Sequence, residues 1–187
     1  LGAHARLVDL PDGAARFPVA HRTVRVPVAA PSWVMARPLM RAFNRQIYRQ
    51  GAAAAGTALC DWDSFFYPLD RLLAWNRLYG RRGLVQFQCV LPEPAAASGL
   101  AALLAAVAAT GHPSVLAVLK RMGAEAGPFS FPMAGWTLAL DLAMRPETPA
   151  LMDRLDAIAI DHGGRFYLAK DARMHADPLP RADPRVT

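Results

Sequence analysis

The chain contains few of the residues that build disulfide-bonded or metal-bound proteins. Only Cys60 and Cys89 are cysteines among its 187 residues, too few for a disulfide scaffold or a cluster of metal-binding thiolates. Charged residues are also scarce, at 19%, whereas hydrophobic residues reach 53% and can offset the entropy of ordering, which excludes a disordered chain. Its first residues do not have the basic segment and apolar run of a signal peptide. We therefore expect a folded, cytoplasmic protein whose core needs no disulfide.

Lysine is the rarest charged residue, because 19 of the 21 basic residues are arginines and only Lys120 and Lys170 are lysines. The formal net charge of +6 raises the question of nucleic-acid binding. Apart from Arg81 and Arg82, however, the arginines are scattered singly, as on a solvated surface. We expect no nucleic-acid partner, and a basic nucleic-acid-binding domain is the less favoured alternative. The longest uncharged run, 94–118, has a single apolar stripe, which predicts a core helix rather than a transmembrane segment.

Short motifs with a known mechanism are absent from the sequence. It contains no glycine-rich nucleotide-binding motif of the GxGxxG or GxxxxGK kind and no HExxH zinc motif. The five histidines are separated from other metal-binding side chains except at Asp161–His162, and adjacent residues point to different faces of a helix. We therefore expect no metal site. No serine lies in a nucleophile elbow, which argues against a hydrolase.

The pattern divides the chain into three parts. Residues 1–64 form an N-terminal extension with a strand at 21–28, a helix from about residue 32 to residue 50 and an alanine-rich spacer at 51–56. Residues 65–173 form the main domain, which opens with a helix around residues 70–79 that ends at the Gly80–Gly83 turn. Residues 174–187 are rich in proline and poor in apolar residues, which predicts an unpacked or truncated tail.

Residues 83–170 show the clearest secondary-structure pattern. Alternating apolar residues predict strands at 84–91, 114–120, 136–144 and 165–169, and apolar stripes predict helices at 94–110 and from Thr148 to just before Gly163. The order strand, helix, strand, strand, helix, strand is that of the split βαβ, or ferredoxin-like, arrangement. We therefore predict an α+β fold in which an antiparallel sheet carries both helices on one face.

The opposite face of this sheet carries the candidate binding residues. Alternation places Gln86 and Gln88 together there, and uncharged amides of this kind suit hydroxyl-rich ligands, although the pattern alone favours an ordinary solvent-exposed sheet face. Lys120 is a flexible cation on the same face, or simply a lysine at the rim. Lys170 has the parity of Phe166, so it reaches this face only if the last strand ends or bulges. Thr137, Ala139, Asp141 and Tyr167 share the polar parity.

Several segments resemble the C-terminal part of FAD-linked oxidoreductases of the vanillyl-alcohol-oxidase superfamily. Within it they are most similar to the branch of decaprenylphosphoryl-β-D-ribose oxidase and its bacterial relatives. The resemblance covers about 65–173 and is carried by these segments: Phe66–Asp70, Trp75–Arg77, Gly83–Gln88, Val90–Pro92, Leu119–Lys120, Phe129–Pro132, Gly135–Trp136 and Gly163–Arg173.

The resemblance implies a substrate-binding domain whose sheet lies over the flavin ring, while FAD is bound mainly by an N-terminal domain that this chain does not contain. It implies Lys170 as the catalytic residue, with the substrate bound by Gln86, Gln88, Lys120, Thr137 and Tyr167. The branch has Asn and Cys where this chain has Thr137 and Ala139, so hydrogen bonding to the substrate changes here.

The implied activity is oxidation of a secondary alcohol on a sugar-like substrate by hydride transfer to flavin. The partners are then the FAD-binding domain of the same polypeptide and that substrate, and the isolated fragment would be inactive. The alternative from a different class is a ferredoxin-like module that binds a ligand without redox chemistry.

Overall fold

The computed structural model describes residues 22–53, 67, 70–111, 114–124, 127, 130–170, 177, 179–183 and 185. Several predictions fall partly outside these residues. They concern the first part of the extension, the end of the alanine-rich spacer, most of the motif at 66–70 and the segment 171–176.

The N-terminal extension contributes a two-stranded parallel sheet. β1 (Val24–Arg25) pairs with β2 (Leu72–Leu73), so the predicted strand at 21–28 is much shorter than expected. The helix predicted around residue 72 is wrong, because those residues form β2. Ala74 then adopts a left-handed conformation, with φ of 56°, and only a 3₁₀ turn follows at Trp75–Tyr79. A non-glycine residue in this conformation interrupts a helix.

The first long helix, α1 (Arg37–Ala53), follows a 3₁₀ turn at Ser32–Met35. Pro38 lies in its first turn, where the missing N–H costs no hydrogen bond. Gly51 belongs to the helix, not to the predicted spacer. Of the apolar side chains Met40, Phe43 and Ile47 in this helix, only Met40 is buried, whereas the other two are about half exposed.

The main sheet has four antiparallel strands in the spatial order β4, β5, β3, β6. They are β3 (Leu84–Pro92), β4 (Ser114–Met122), β5 (Gly135–Ala143) and β6 (Arg165–Phe166). Helix α2 (Glu93–Thr110) connects β3 to β4, and α3 (Thr148–Asp161) connects β5 to β6. The α+β class and the predicted element order are confirmed.

The core lies between this sheet and the two helices, which pack on the same face. It is built from alternate strand residues and from the inner faces of α2 and α3. Its members include Val85, Phe87, Cys89, Leu91, Leu103, Val107, Leu138, Leu140, Leu142, Leu151, Leu155 and Phe166. Gly99 lets α2 approach closely, since a Cβ there would lie 2.7 Å from Leu91 Cδ1. Leu104, predicted in the apolar stripe of α2, is half exposed.

The helix ends only partly follow the sequence rules. Gly111 ends α2 with a φ of 68°, as glycine readily does. Thr148 is the first residue of α3 and not its N-cap. Its hydroxyl donates to the carbonyl oxygen of Ala143 at 2.9 Å and accepts from the backbone N–H of Arg145 at 2.9 Å.

The last strand and the tail differ from expectation. β6 ends at Phe166 and not at residue 169. The tail was expected to be unpacked, whereas α4 (Leu179–Ala182) places Ala182 in the main core. Asp183 follows α4 directly, and its Oδ2 lies 3.6 Å from the Nε atom of the buried Arg165. Arg165 and Arg185 also both donate to the carbonyl oxygen of Ser130, at 2.9 and 3.0 Å.

One helix of the described part of the chain, α2, is long and apolar enough to cross a membrane by length and composition. Its inner face, which includes Ala96, Leu103 and Val107, is buried in the core. Core helices commonly pass the same test, so it is weak support for a membrane span.

Candidate functional site

The face of the sheet opposite the helices contains a cavity of about 160 Å³. Residues from β3, β4 and β5 and from the turn after β6 surround it. They are Gln86, Phe87, Gln88, Leu116, Val118, Lys120, Thr137, Ala139, Asp141 and Lys170. The structure thus brings together five of the six predicted site residues, and Tyr167 is the exception.

The register of β3 and β5 positions the two glutamines. Gln86 lies directly opposite Asp141, and its Nε2 donates to Asp141 Oδ1 at 2.7 Å. Gln88 Nε2 donates to Thr137 Oγ1 at 3.3 Å, and that hydroxyl donates onward to the carbonyl oxygen of Cys89 at 2.8 Å.

This network determines which way each amide points. A carboxylate only accepts hydrogen bonds, so Gln86 must turn its nitrogen toward Asp141. The Thr137 hydroxyl has one proton, which it donates to the carbonyl oxygen of Cys89. It can therefore only accept from Gln88, so the side-chain nitrogen of Gln88 must face β5. Each amide oxygen remains as an acceptor for another group. The cavity therefore offers acceptors of the kind that bind hydroxyl groups.

Lys170 reaches the cavity because β6 is short. After Phe166 the chain leaves the strand, and the backbone N–H of Tyr167 donates to the carbonyl oxygen of Gln88 at 3.0 Å. A 3₁₀ turn at Leu168–Lys170 follows, closed by a 2.9 Å hydrogen bond from the Lys170 N–H to the Tyr167 carbonyl. The turn breaks the two-residue alternation, so Lys170 joins the polar face despite its parity.

Lys120 extends from the edge strand β4, opposite Thr137 in the register. It is exposed and lines the cavity beside the apolar side chains of Leu116 and Val118. Lys120 and Lys170 are thus the two cationic side chains of a cavity that is lined by both polar and apolar residues.

Tyr167 lies beside this group and does not line the cavity. Its ring packs against Phe131, with ring centroids 4.8 Å apart and planes inclined at 38°. The tyrosine is half-buried, and its backbone is hydrogen-bonded to Gln88. Its role in substrate binding stays a prediction.

Asp141 is a cavity residue that was not among the predicted site residues. The side chain is only 3% exposed, and its Oδ2 accepts no hydrogen bond from any described residue. Burial raises the pKa of its carboxyl, while the hydrogen bond from Gln86 and the nearby charge of Lys170 act in the opposite direction. The sequence did contain a signal for Asp141. This residue has the same parity as Gln86 and Gln88, and a carboxylate on a partly apolar sheet face needs a hydrogen-bonding partner.

The remaining chemistry of the described residues is limited. They contain no group of three histidine, cysteine or acidic side chains that could hold a metal ion. Cys89 lies on the helix side of the sheet, and burial raises the pKa of its thiol to about 12. It is therefore a core residue and not a nucleophile.

The cavity is too small for a whole dinucleotide, since ligand pockets usually measure about 300–1,000 Å³. Its amides and ammonium groups could contact only one part of FAD, such as the polar edge of the flavin ring. The described residues therefore fit a cofactor that is held mainly elsewhere.

No protein-family model matches the chain. It is 34% identical over 123 residues to decaprenylphosphoryl-beta-D-ribose oxidase of Mycolicibacterium smegmatis, which covers 65% of this chain and 26% of that protein. It is 35% identical over 99 residues to the "uncharacterized protein in mprA 5′ region" of Streptomyces coelicolor, which covers 52% of this chain and 27% of that protein. The chain thus spans about a quarter of the length of the curated relatives it matches. Over this part of its sequence, the chain is related to an enzyme named as an oxidase.

Proposed function

We propose that this chain is the C-terminal substrate-binding part of an FAD-dependent oxidoreductase that oxidises a secondary alcohol of a sugar-like molecule. One observation carries the proposal. Lys170, Lys120 and the two glutamines come from three separate segments and meet at one cavity, in a chain related to an oxidase that acts, by its name, on a ribose derivative. This convergence supports a binding site more than an ordinary solvated sheet face.

The size of the cavity supports a site completed by a second domain. At about 160 Å³ it is smaller than a usual ligand pocket. We infer that the FAD-binding domain of the same polypeptide covers the polar face and encloses the substrate between the flavin and the sheet.

The side chains have distinct proposed roles. The oxygens of Gln86 and Gln88 accept hydrogen bonds from substrate hydroxyls, and Lys120 and Thr137 contact the remainder, with Tyr167 beside them. Lys170 donates to the oxygen of the reacting alcohol and holds it in place. FAD, when bound, would accept the hydride from the alcohol carbon, the hydroxyl proton would pass to water, and the alcohol would become a ketone. Holding the alcohol in a reactive geometry is the contribution of this chain.

The test uses the complete natural polypeptide, purified with its flavin. Under anaerobic conditions, methyl β-D-ribofuranoside and related polyols are mixed with it, and loss of flavin absorbance is followed. Lys170→Ala should abolish flavin reduction while flavin stays bound, because the alcohol oxygen loses its donor. Arg45→Ala, on the exposed face of α1, serves as the control for loss of a positive charge.

Normal flavin reduction by Lys170→Ala contradicts the role of this lysine. A colourless polypeptide that still binds these polyols contradicts the redox function and favours the binding module. A polypeptide with steeply salt-dependent affinity for nucleic acid and none for polyols contradicts both.

A further inference from the structure

Asp141 is the one cavity carboxylate among the described residues, and only one of its two carboxylate oxygens accepts a hydrogen bond from them. Its Oδ1 accepts the 2.7 Å hydrogen bond from Gln86, while the buried Oδ2 has no hydrogen-bond partner among those residues. A buried polar group without a hydrogen-bond partner destabilises the folded state. Groups of this kind are uncommon in native proteins and call for a functional explanation.

The charged groups that face the cavity indicate which side chain could donate a hydrogen bond to Asp141 Oδ2. β4 contributes Lys120, the turn after β6 contributes Lys170, and β3 contributes only its neutral glutamines. Of the two lysines, Lys170 is the one whose charge affects Asp141, and it lowers the pKa of that carboxyl. The two side chains nevertheless do not form a direct ion pair in the described structure. Lys170 is exposed, and its flexible four-carbon stem allows the ammonium to move.

We propose that Asp141 is a positioning residue for Lys170. When the cavity is occupied, the ammonium of Lys170 donates a hydrogen bond to Asp141 Oδ2, which holds it above the amides of Gln86 and Gln88. Gln86 fixes the carboxylate from the other side. An ammonium has three donors, so one can satisfy Asp141 while the others remain for the ligand oxygen.

This inference rests on the proposed function for its kinetic consequence. The kinetic test compares Asp141→Asn with wild type in the flavin-loaded polypeptide, using the polyol that reduces the wild-type flavin. The amide is isosteric and can still accept from Gln86, but it presents no negative charge to Lys170. We expect the maximal rate of flavin reduction to fall by about 100-fold, the typical effect of a small misplacement in an active site. Asp161→Asn, on the exposed end of α3, is the matched control and should leave the rate unchanged.

The split between the two kinetic constants separates positioning from a structural role. A misplaced lysine should lower the maximal rate of flavin reduction in Asp141→Asn and leave the polyol concentration that gives half of that rate nearly unchanged. An unchanged maximal rate, or the same loss in Asp161→Asn, overturns the proposal.

A second measurement needs no flavin. The ¹³Cγ resonance of Asp141 is titrated in the 187-residue chain and in its Lys170→Met variant. Losing the neighbouring positive charge should raise the pKa of Asp141. Identical titrations of Asp141 in both proteins overturn the proposal. If the wild-type polypeptide never reduces its flavin, the proposed function fails, and this titration still decides whether Asp141 and Lys170 interact.

Discussion

The hydroxyl of Thr137 makes hydrogen bonds both to the backbone of β3 and to a glutamine of the cavity, and replacing it tests what these bonds contribute to stability. Thr137 is 1% exposed, donates to the Cys89 carbonyl at 2.8 Å and accepts from Gln88 at 3.3 Å. Thr137→Val keeps the shape and removes both hydrogen bonds. Gln88 is half-buried and can turn to water, so the main cost is the loss of the buried partner of Cys89. That cost is about 1–3 kcal/mol, which lowers Tm by roughly 2–12 °C in a domain of this size.

The assay is urea unfolding of the 187-residue chain, followed by circular dichroism. The midpoint should fall while the slope with denaturant stays the same, because the surface exposed on unfolding does not change. Thr23→Val is the matched control, since the same replacement at this exposed residue just before β1 should change the unfolding free energy by less than about 0.5 kcal/mol. If Thr137→Val is as stable as this control, the buried hydroxyl network does not contribute as argued.

Three further outcomes follow from single positions. Gly135→Ala should destabilise the chain strongly, because the new Cβ would overlap the backbone oxygen of Leu91, whereas Gly123→Ala, with no atom within 4 Å, should not; thermal unfolding of both compares them. Cys89 should not react with a thiol reagent at pH 8 until the chain unfolds, since its pKa is about 12; fast labelling of the native Cys60→Ala variant would contradict its burial. The pKa of Asp141 is raised in the folded state, so its proton binds the native chain more tightly and wild-type stability declines as pH rises above the ordinary value of 3.8. The side chain of Asp141→Asn does not titrate, so the unfolding free energy of this variant should rise relative to that of wild type as the pH increases above 3.8. If the two unfolding free energies change in parallel from pH 3 to 7, the pKa of Asp141 is not raised in the folded state.

Alternation in the sequence was enough to predict the main sheet and the face on which the site lies. Val85, Phe87 and Cys89 point to the helices and Gln86 and Gln88 away from them, because one face of the sheet must be buried. The same rule failed where chain geometry changes over a few residues. Ala74 ended a predicted helix by adopting a left-handed conformation, which the pattern of apolar residues does not reveal.

The site shows a similar division. Parity alone predicts the face that Gln86 occupies. Its hydrogen-bond partner depends on the register between β3 and β5. That register cannot be predicted from the apolar pattern of either strand, because the two segments are far apart in sequence. Asp141 was therefore assigned to the correct face without being recognised as a member of the site. The position of Lys170 rested on resemblance, and the structure supplies the reason in the early end of β6.

The early end of β6 also limits how this region can evolve. Four residues, 167–170, carry the backbone from its last hydrogen bonds with β3 to the ammonium that enters the cavity. Inserting or deleting one residue here would rotate Lys170 away from the glutamines, however well the remaining sequence were preserved. Helix α2 presents many exposed alanines that can be exchanged freely, whereas this short segment is fixed in length. Relatives that keep the lysine should therefore also keep its distance in sequence from Phe166, and those that change the distance should have lost the site.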